Sequence, residues 1–161
     1  MRAGLLCAVC ALALSSTCIA DSVTSLRKLP TGMELRTGEG VLTVEPWSDS
    51  IVHVRFGAPG YAGNYNPAVI AAPARVRFNI LETATAYRLT TSKVAVQVAK
   101  STALVSFTDT RGTGLLEEAQ RNIGQGTLVA FATRTAIYGL GQHQNGMLDY
   151  SGSTVHLQQL N

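Results

Sequence analysis

Val94-Ala95-Val96-Gln97-Val98-Ala99-Lys100-Ser101-Thr102-Ala103-Leu104-Val105-Ser106-Phe107 is the stretch that decides the fold. Val94, Val96 and Val98 fall on one side of an extended chain, and Ala95 and Gln97 on the other. That period-two pattern marks a half-buried strand. A second short run, Leu104 to Phe107, follows after Ala99-Lys100-Ser101-Thr102-Ala103, a connection of hairpin length. Strands joined so closely can only be antiparallel neighbours.

The same alternation recurs on either side. In Ile51 to Phe56, Val52, Val54 and Phe56 point one way and His53 and Arg55 the other, which leaves His53 facing solvent. Val76-Arg77-Phe78-Asn79-Ile80 alternates too, and Val41 to Val44 is a β-branched run closed by Pro46. Asp109-Thr110-Arg111-Gly112 turns the chain toward Leu115-Leu116-Glu117-Glu118, and Thr127 to Phe131 and Thr154 to Leu160 supply further strands. Strands spaced roughly every 8 to 12 residues, with no helical stripe between them, predict an all-β fold, an antiparallel β-sandwich. Gly57 to Ala74, with Pro59, Gly60, Gly63, Pro67 and Pro73, reads as a long irregular loop on which Tyr61 and Tyr65 can pack.

The first residues do not belong to that fold. Arg2, an apolar stretch from Leu5 to Leu14 and the small-residue site Cys18-Ile19-Ala20 have the layout of a secretory signal peptide, shorter than the ~20 residues of a spanning helix. Cleavage after Ala20 leaves one domain over residues 21–161, exported to the periplasm or the exterior. Lipid attachment at Cys18 is the alternative, with Ser15-Ser16-Thr17 a poor approach to it. All 3 cysteines (Cys7, Cys10, Cys18) lie in the leader, so the domain is expected to have no disulfide and no thiolate chemistry. The full chain's net charge of +3, reduced by the loss of Arg2 with the leader, comes without a basic run, which removes the electrostatic footprint of nucleic-acid binding, and beyond the leader no stretch is apolar enough to span a membrane.

Chemistry concentrates in Tyr138-Gly139-Leu140-Gly141-Gln142-His143-Gln144-Asn145-Gly146-Met147-Leu148-Asp149-Tyr150. Gly139 and Gly141 allow tight backbone turns. Gln142, His143, Gln144, Asn145 and Asp149 bring donors and acceptors together in the manner that suits a hydroxyl-rich ligand. A solvated loop whose glycines serve only its turns would have the same composition.

The order of these residues resembles the end of the N-terminal β-sandwich of glycoside hydrolase family 31, of the bacterial α-xylosidase and α-glucosidase type. The resemblance extends through Trp47-Ser48-Asp49, Val52 to Phe56, Ser92-Lys93-Val94, Val105 to Asp109 and Gly114 to Glu118. It implies a galactose-mutarotase-like sandwich that precedes a catalytic (β/α)8 barrel, and a retaining α-glycosidase as the parent enzyme. It also implies a sandwich loop at the rim of the substrate pocket, made here by Gln142, His143, Gln144, Asn145, Met147, Asp149 and Tyr150. The substrate would be an α-linked glucoside or xyloside and no cofactor is implied. Both catalytic aspartates belong to the barrel, and no position here matches their motifs, so no catalytic residue is assigned. One departure is Ser151, where a basic residue commonly follows the aromatic. The ending at Asn161, so soon after the loop, leads to the expectation that the chain is a fragment without its barrel.

The residues themselves agree that catalysis lies elsewhere. Glycosidase chemistry needs two facing carboxyl groups, ~5–5.5 Å apart for retention and ~6.5–9.5 Å for inversion. Among the 10 acids, Glu34, Glu39, Glu45, Asp49 and Asp109 read as strand-end or turn residues, Glu117 and Glu118 must face opposite sides of a strand, and only Asp149 lies in the polar loop. His143 and His156 have no third ligand at metal-site spacing, so no metal is expected. Trp47 could stack on a sugar, but a lone Trp beside a strand more often packs. A free-standing carbohydrate-binding module using Trp47, Tyr61, Tyr65 and the same loop is the alternative reading.

Overall fold

A computed structural model of the chain describes residues 21–57, 74–123, 127–132, 136–138 and 146–153. Among the described residues every regular element is a strand, and no helix is long and apolar enough to cross a membrane. The strands are β1 (Val23–Leu29), β2 (Gly32–Thr37), β3 (Val41–Pro46), β4 (Val52–Gly57), β5 (Asn79–Glu82), β6 (Ala86–Thr90), β7 (Val94–Ala99), β8 (Val105–Asp109), β9 (Gly114–Ile123) and β10 (Thr127–Ala132). They form a 4-stranded sheet in the order β1-β2-β3-β4 and a 6-stranded sheet in the order β10-β9-β8-β7-β6-β5. Every neighbouring pair is antiparallel, so each sheet is a meander.

The alternation in the sequence explains the layering. Met33 and Leu35 on β2, and Leu42 and Val44 on β3, are fully buried; they meet Leu89, Val96 and Val98 from the other sheet in one core. Val52, Val54 and Phe56 of β4 pack on the same core, as their period-two spacing requires. Each side chain buried to this degree contributes roughly 1.5–3 kcal/mol of transfer free energy. The two inner faces make an antiparallel all-β sandwich.

The strand expected over Val76–Ile80 is shorter and later than the pattern implies. Phe78 and Ile80 do face the core while Arg77 and Asn79 are exposed, but pairing begins only at Asn79, opposite Thr90. Beyond Thr90 the partner chain turns away: Thr91 donates its amide to the Val94 carbonyl and its hydroxyl to the Asp49 carbonyl at 2.6 Å. Residues 74–78 therefore have no ladder to join. The leader, Tyr61 and Tyr65 of the Gly57–Ala74 loop, and the strand expected over Thr154–Leu160 with His156 lie outside the described residues.

His53 does not face solvent as its parity implies. It is half-buried, its ring edge-on to Trp47 at a centroid distance of 4.9 Å, and its buried Nδ1 has no hydrogen-bond partner among the described residues. The outward face of β4 is covered here by Trp47, which follows β3 directly. Glu34 lies within β2 and not at a strand end or turn, whereas Glu45 sits at the end of β3 as expected. Glu34 pairs with Arg27 and Arg36, and Glu45 accepts from the Thr31 hydroxyl at 2.9 Å and from Arg55.

Candidate functional site

The polar segment expected to line a pocket is described at its two feet. Residues 136–138 leave the 6-stranded sheet shortly after β10, and residues 146–153 bring the chain back. The feet are tied together reciprocally. The Tyr150 amide donates to the Ile137 carbonyl at 2.9 Å, and the Ile137 amide donates to Asp149 Oδ1 at 2.9 Å. The same oxygen accepts from the Ser151 amide at 2.9 Å and the Ser151 hydroxyl at 2.6 Å. Asp149 thus closes its own turn in the way short acidic side chains do. Gly152, at φ +71°, lets the chain bend on so that the Ser153 amide reaches the Tyr150 carbonyl.

Those bonds also set the electrostatics. The Ser151 hydroxyl, then the Ser151 and Ile137 amides, favour the ionised form of Asp149 and hold its carboxyl below the usual carboxylate range. The group stays anionic near neutrality, so it can accept hydrogen bonds but not act as an acid. Around it Tyr150 is buried, while Tyr138 (60% exposed), Met147 (43%) and Leu148 (77%) present apolar surface to solvent. Of the residues expected to line a pocket, Met147, Asp149 and Tyr150 are brought together here; Gln142, His143, Gln144 and Asn145 lie outside the described residues. No group of three His, Cys, Asp or Glu side chains gathers among the described residues in a way that could hold a metal ion.

A second feature had no signal in the sequence. On β9, Ala130 of β10 stands opposite Gln120, and Phe131 opposite Glu118, so Ala119 is an extra residue, a β-bulge. The bulge turns Glu118 and Arg121 onto the same inner face, where the two side chains form an ion pair through two contacts with side-chain exposures of 4% and 9%. Glu118 also accepts the Val105 amide at 2.9 Å. Arg121 also donates to the Ala103 carbonyl at 3.2 Å, and its guanidinium lies 4.8 Å from the centre of the Phe56 ring. Glu117, its neighbour, is exposed, as alternation requires. The pair lines an inter-sheet cleft of about 540 Å³, with Phe56 on β4 opposed to Leu116 and Phe131 on β9 and β10. Phe131 is 50% exposed there.

Comparison with solved structures finds likenesses to part of larger sugar-cleaving enzymes. It is similar to a glycoside hydrolase family 31 α-xylosidase from Xanthomonas citri, at 25% identity with a TM-score of 0.62, over 84% of this chain and 16% of that one. It shares the fold of a family 31 α-xylosidase from a soil metagenome, solved in complex with xylose, at 23% identity with a TM-score of 0.67, over 86% of this chain and 25% of that one. No protein-family model and no curated protein matches the sequence. The chain spans a quarter or less of the length of both structures. The likeness to family 31 expected from the Tyr138–Tyr150 motif is borne out by these neighbours, and the chain is a glycosidase-related β-sandwich.

Proposed function

We propose that this chain is the N-terminal, non-catalytic sandwich of an exported retaining α-glycosidase, and that its segment from Gln142 to Tyr150 forms part of the rim of the sugar pocket. The single observation that carries this reading is the likeness to the Xanthomonas citri α-xylosidase, which takes in 84% of this chain but 16% of that enzyme. The tied feet of the polar segment support it. Asp149 and Tyr150 fix where the loop leaves and returns, so that its polar side chains could be held in register with a ligand. The apolar surface of Tyr138, Met147 and Leu148 beside those feet suits contact with further polypeptide, here a (β/α)8 barrel supplying both catalytic carboxylates. The substrate on this reading is an α-linked xyloside or glucoside, cleaved through a covalent glycosyl-enzyme intermediate in the barrel.

The test uses the chain together with the polypeptide encoded after it. That longer protein should hydrolyse aryl α-xylosides or α-glucosides, and replacing Met147 or Asp149 by Ala should raise KM more than it lowers kcat, because a rim contact binds ground and transition states alike. Loss of kcat alone, or no change in either constant, would remove the segment from the pocket. A free-standing binding module finds less support, since Trp47, its natural stacking surface, is half-buried and packs against the His53 ring at a centroid distance of 4.9 Å.

A further inference from the structure

We propose that Glu118 and Arg121 lock the register of β10 and thereby position the feet of the polar loop at Ile137 and Asp149. The inference rests on the reading of that loop as functional, and it assigns two positioning residues outside it. Glu118 and Arg121 are three positions apart, a spacing that on a regular strand puts them on opposite faces. Only the extra residue Ala119 brings both inward. If β9 paired without the bulge, keeping Ala130 opposite Gln120, then Phe131 would stand opposite Ala119 and Ala132 opposite Glu118. Phe131 and Ala132 would each shift by one position along the part of β9 before Gln120, and Glu118 would no longer share a face with Phe131 and Arg121.

The ion pair opposes that slip. In the slipped register one of the two charges turns outward and the other is left on the inner face alone, which is the costly way to break a buried pair. In the bulged register both charges are satisfied. Glu118 holds Arg121 and the Val105 amide, and Arg121 also holds the Ala103 carbonyl. Ala103 is fixed in turn, buried in the β7–β8 turn at φ +52° with its amide on the Ala99 carbonyl. The pair thus fastens β9 to β8 and to the turn before it, and through the pairing of Glu118 with Phe131 it sets where β10 ends. The chain reaches Ile137 only five residues after Ala132 has left the ladder. A slip of one residue, roughly 3.4 Å, exceeds what the Ile137–Asp149 hydrogen bond can absorb.

Amide hydrogen exchange on the folded chain tests this, with Ile137 and Tyr150 as reporters and Leu35 and Val96 as core references. In the double variant Glu118→Leu/Arg121→Met the apolar pair fills the inner face without demanding the bulge. Exchange at Ile137 and Tyr150 should rise about tenfold or more relative to Leu35 and Val96, which report global opening. NMR titration of Asp149 should show its carboxyl returning to the ordinary range, a change that mere loss of stability would not produce. A parallel rise at all four amides, or unchanged reporters, would overturn the proposal. Deleting Ala119 is the second variant, decisive if the first does not fold. It leaves Glu118 and Arg121 two apart on one face and keeps Phe131 opposite Glu118, so the reporters should stay within about threefold of the parent. A selective rise at Ile137 and Tyr150 in the deletion would contradict the lock. These readouts involve no sugar, so their failure is distinct from a failure of the pocket-rim reading, which is judged by KM.

Discussion

Glu118 and Arg121 meet on the inner face of β9 although they are three residues apart, because Ala119 is left without a partner on β10. The pair is nearly inaccessible to solvent, so its two halves are worth far more together than either is alone. Replacing Glu118 by Gln, or Arg121 by Met, should lower unfolding stability by about 3–5 kcal/mol, since each leaves an uncompensated buried group. The double apolar replacement should come within about 1 kcal/mol of the parent or exceed it. Urea midpoints at constant m-value decide the matter; equal losses in the single and double variants would contradict it.

Gly32 opens β2 at a place where no side chain fits. A Cβ there would stand 2.1 Å from the Val44 carbonyl oxygen and 3.0 Å from Glu45 Cα, both backbone atoms of the neighbouring strand. Gly32→Ala should therefore cost about 1–3 kcal/mol as β2 and β3 are forced apart. Gly114→Ala, with nothing within 4 Å of its Cβ, is the control and should be neutral or slightly stabilising. Thermal unfolding of both variants checks the contrast.

His53 carries a buried nitrogen without a hydrogen-bond partner among the described residues. His53→Phe keeps the edge-on contact with Trp47 and removes the unsatisfied group, so stability should rise by roughly 1 kcal/mol. A loss of that size instead would mean that the imidazole makes a needed bond.

Asp149 gives a pH dependence of known sign. Its folded carboxyl titrates below its ordinary value of 3.8, chiefly through the Ser151 hydroxyl and then the Ser151 and Ile137 amides. A depressed carboxyl contributes stability that is fully present above the unfolded value and is lost as pH falls through the folded one. Protection of the Ile137 amide should accordingly hold at neutral pH and fade only below 3.8, with the Asp149 carboxyl carbon titrating in the same range. A midpoint at or above 3.8 would show that these bonds do not form in solution.

The sequence showed the sandwich wherever alternation was clean. Val52, Val54 and Phe56, and Val94, Val96 and Val98, pack inward as their spacing requires. Three strands carried weaker patterns. In β1, Val23, Leu26 and Leu29 recur every third residue, and its pairing with β2 is irregular between Val23 and Ser25. β2 begins on the glycine that its neighbour's backbone demands. β6 is short, and its buried Ala86, Tyr87 and Leu89 do not alternate strictly. Of the site, glycine and amide content pointed to the loop, and Asp149 could be singled out as its lone carboxylate. That Asp149 would fasten the loop's feet depends on Ile137, twelve residues away, which no local pattern reveals. The Glu118–Arg121 pair was hidden for a sharper reason: parity assigns its members to opposite faces, and a bulge leaves no mark in Glu118-Ala119-Gln120-Arg121.

On the function proposed above, this chain supplies one side of a sugar pocket whose reactive side is built by other polypeptide. Calorimetric titration of the purified chain with xylose, glucose and their α-linked oligosaccharides, run beside an aryl α-xyloside hydrolysis assay, tests it most directly. The expected result is no turnover and no binding tighter than the millimolar range, about 4 kcal/mol. Hydrolysis by the chain alone, or micromolar affinity for any of these sugars, would contradict it.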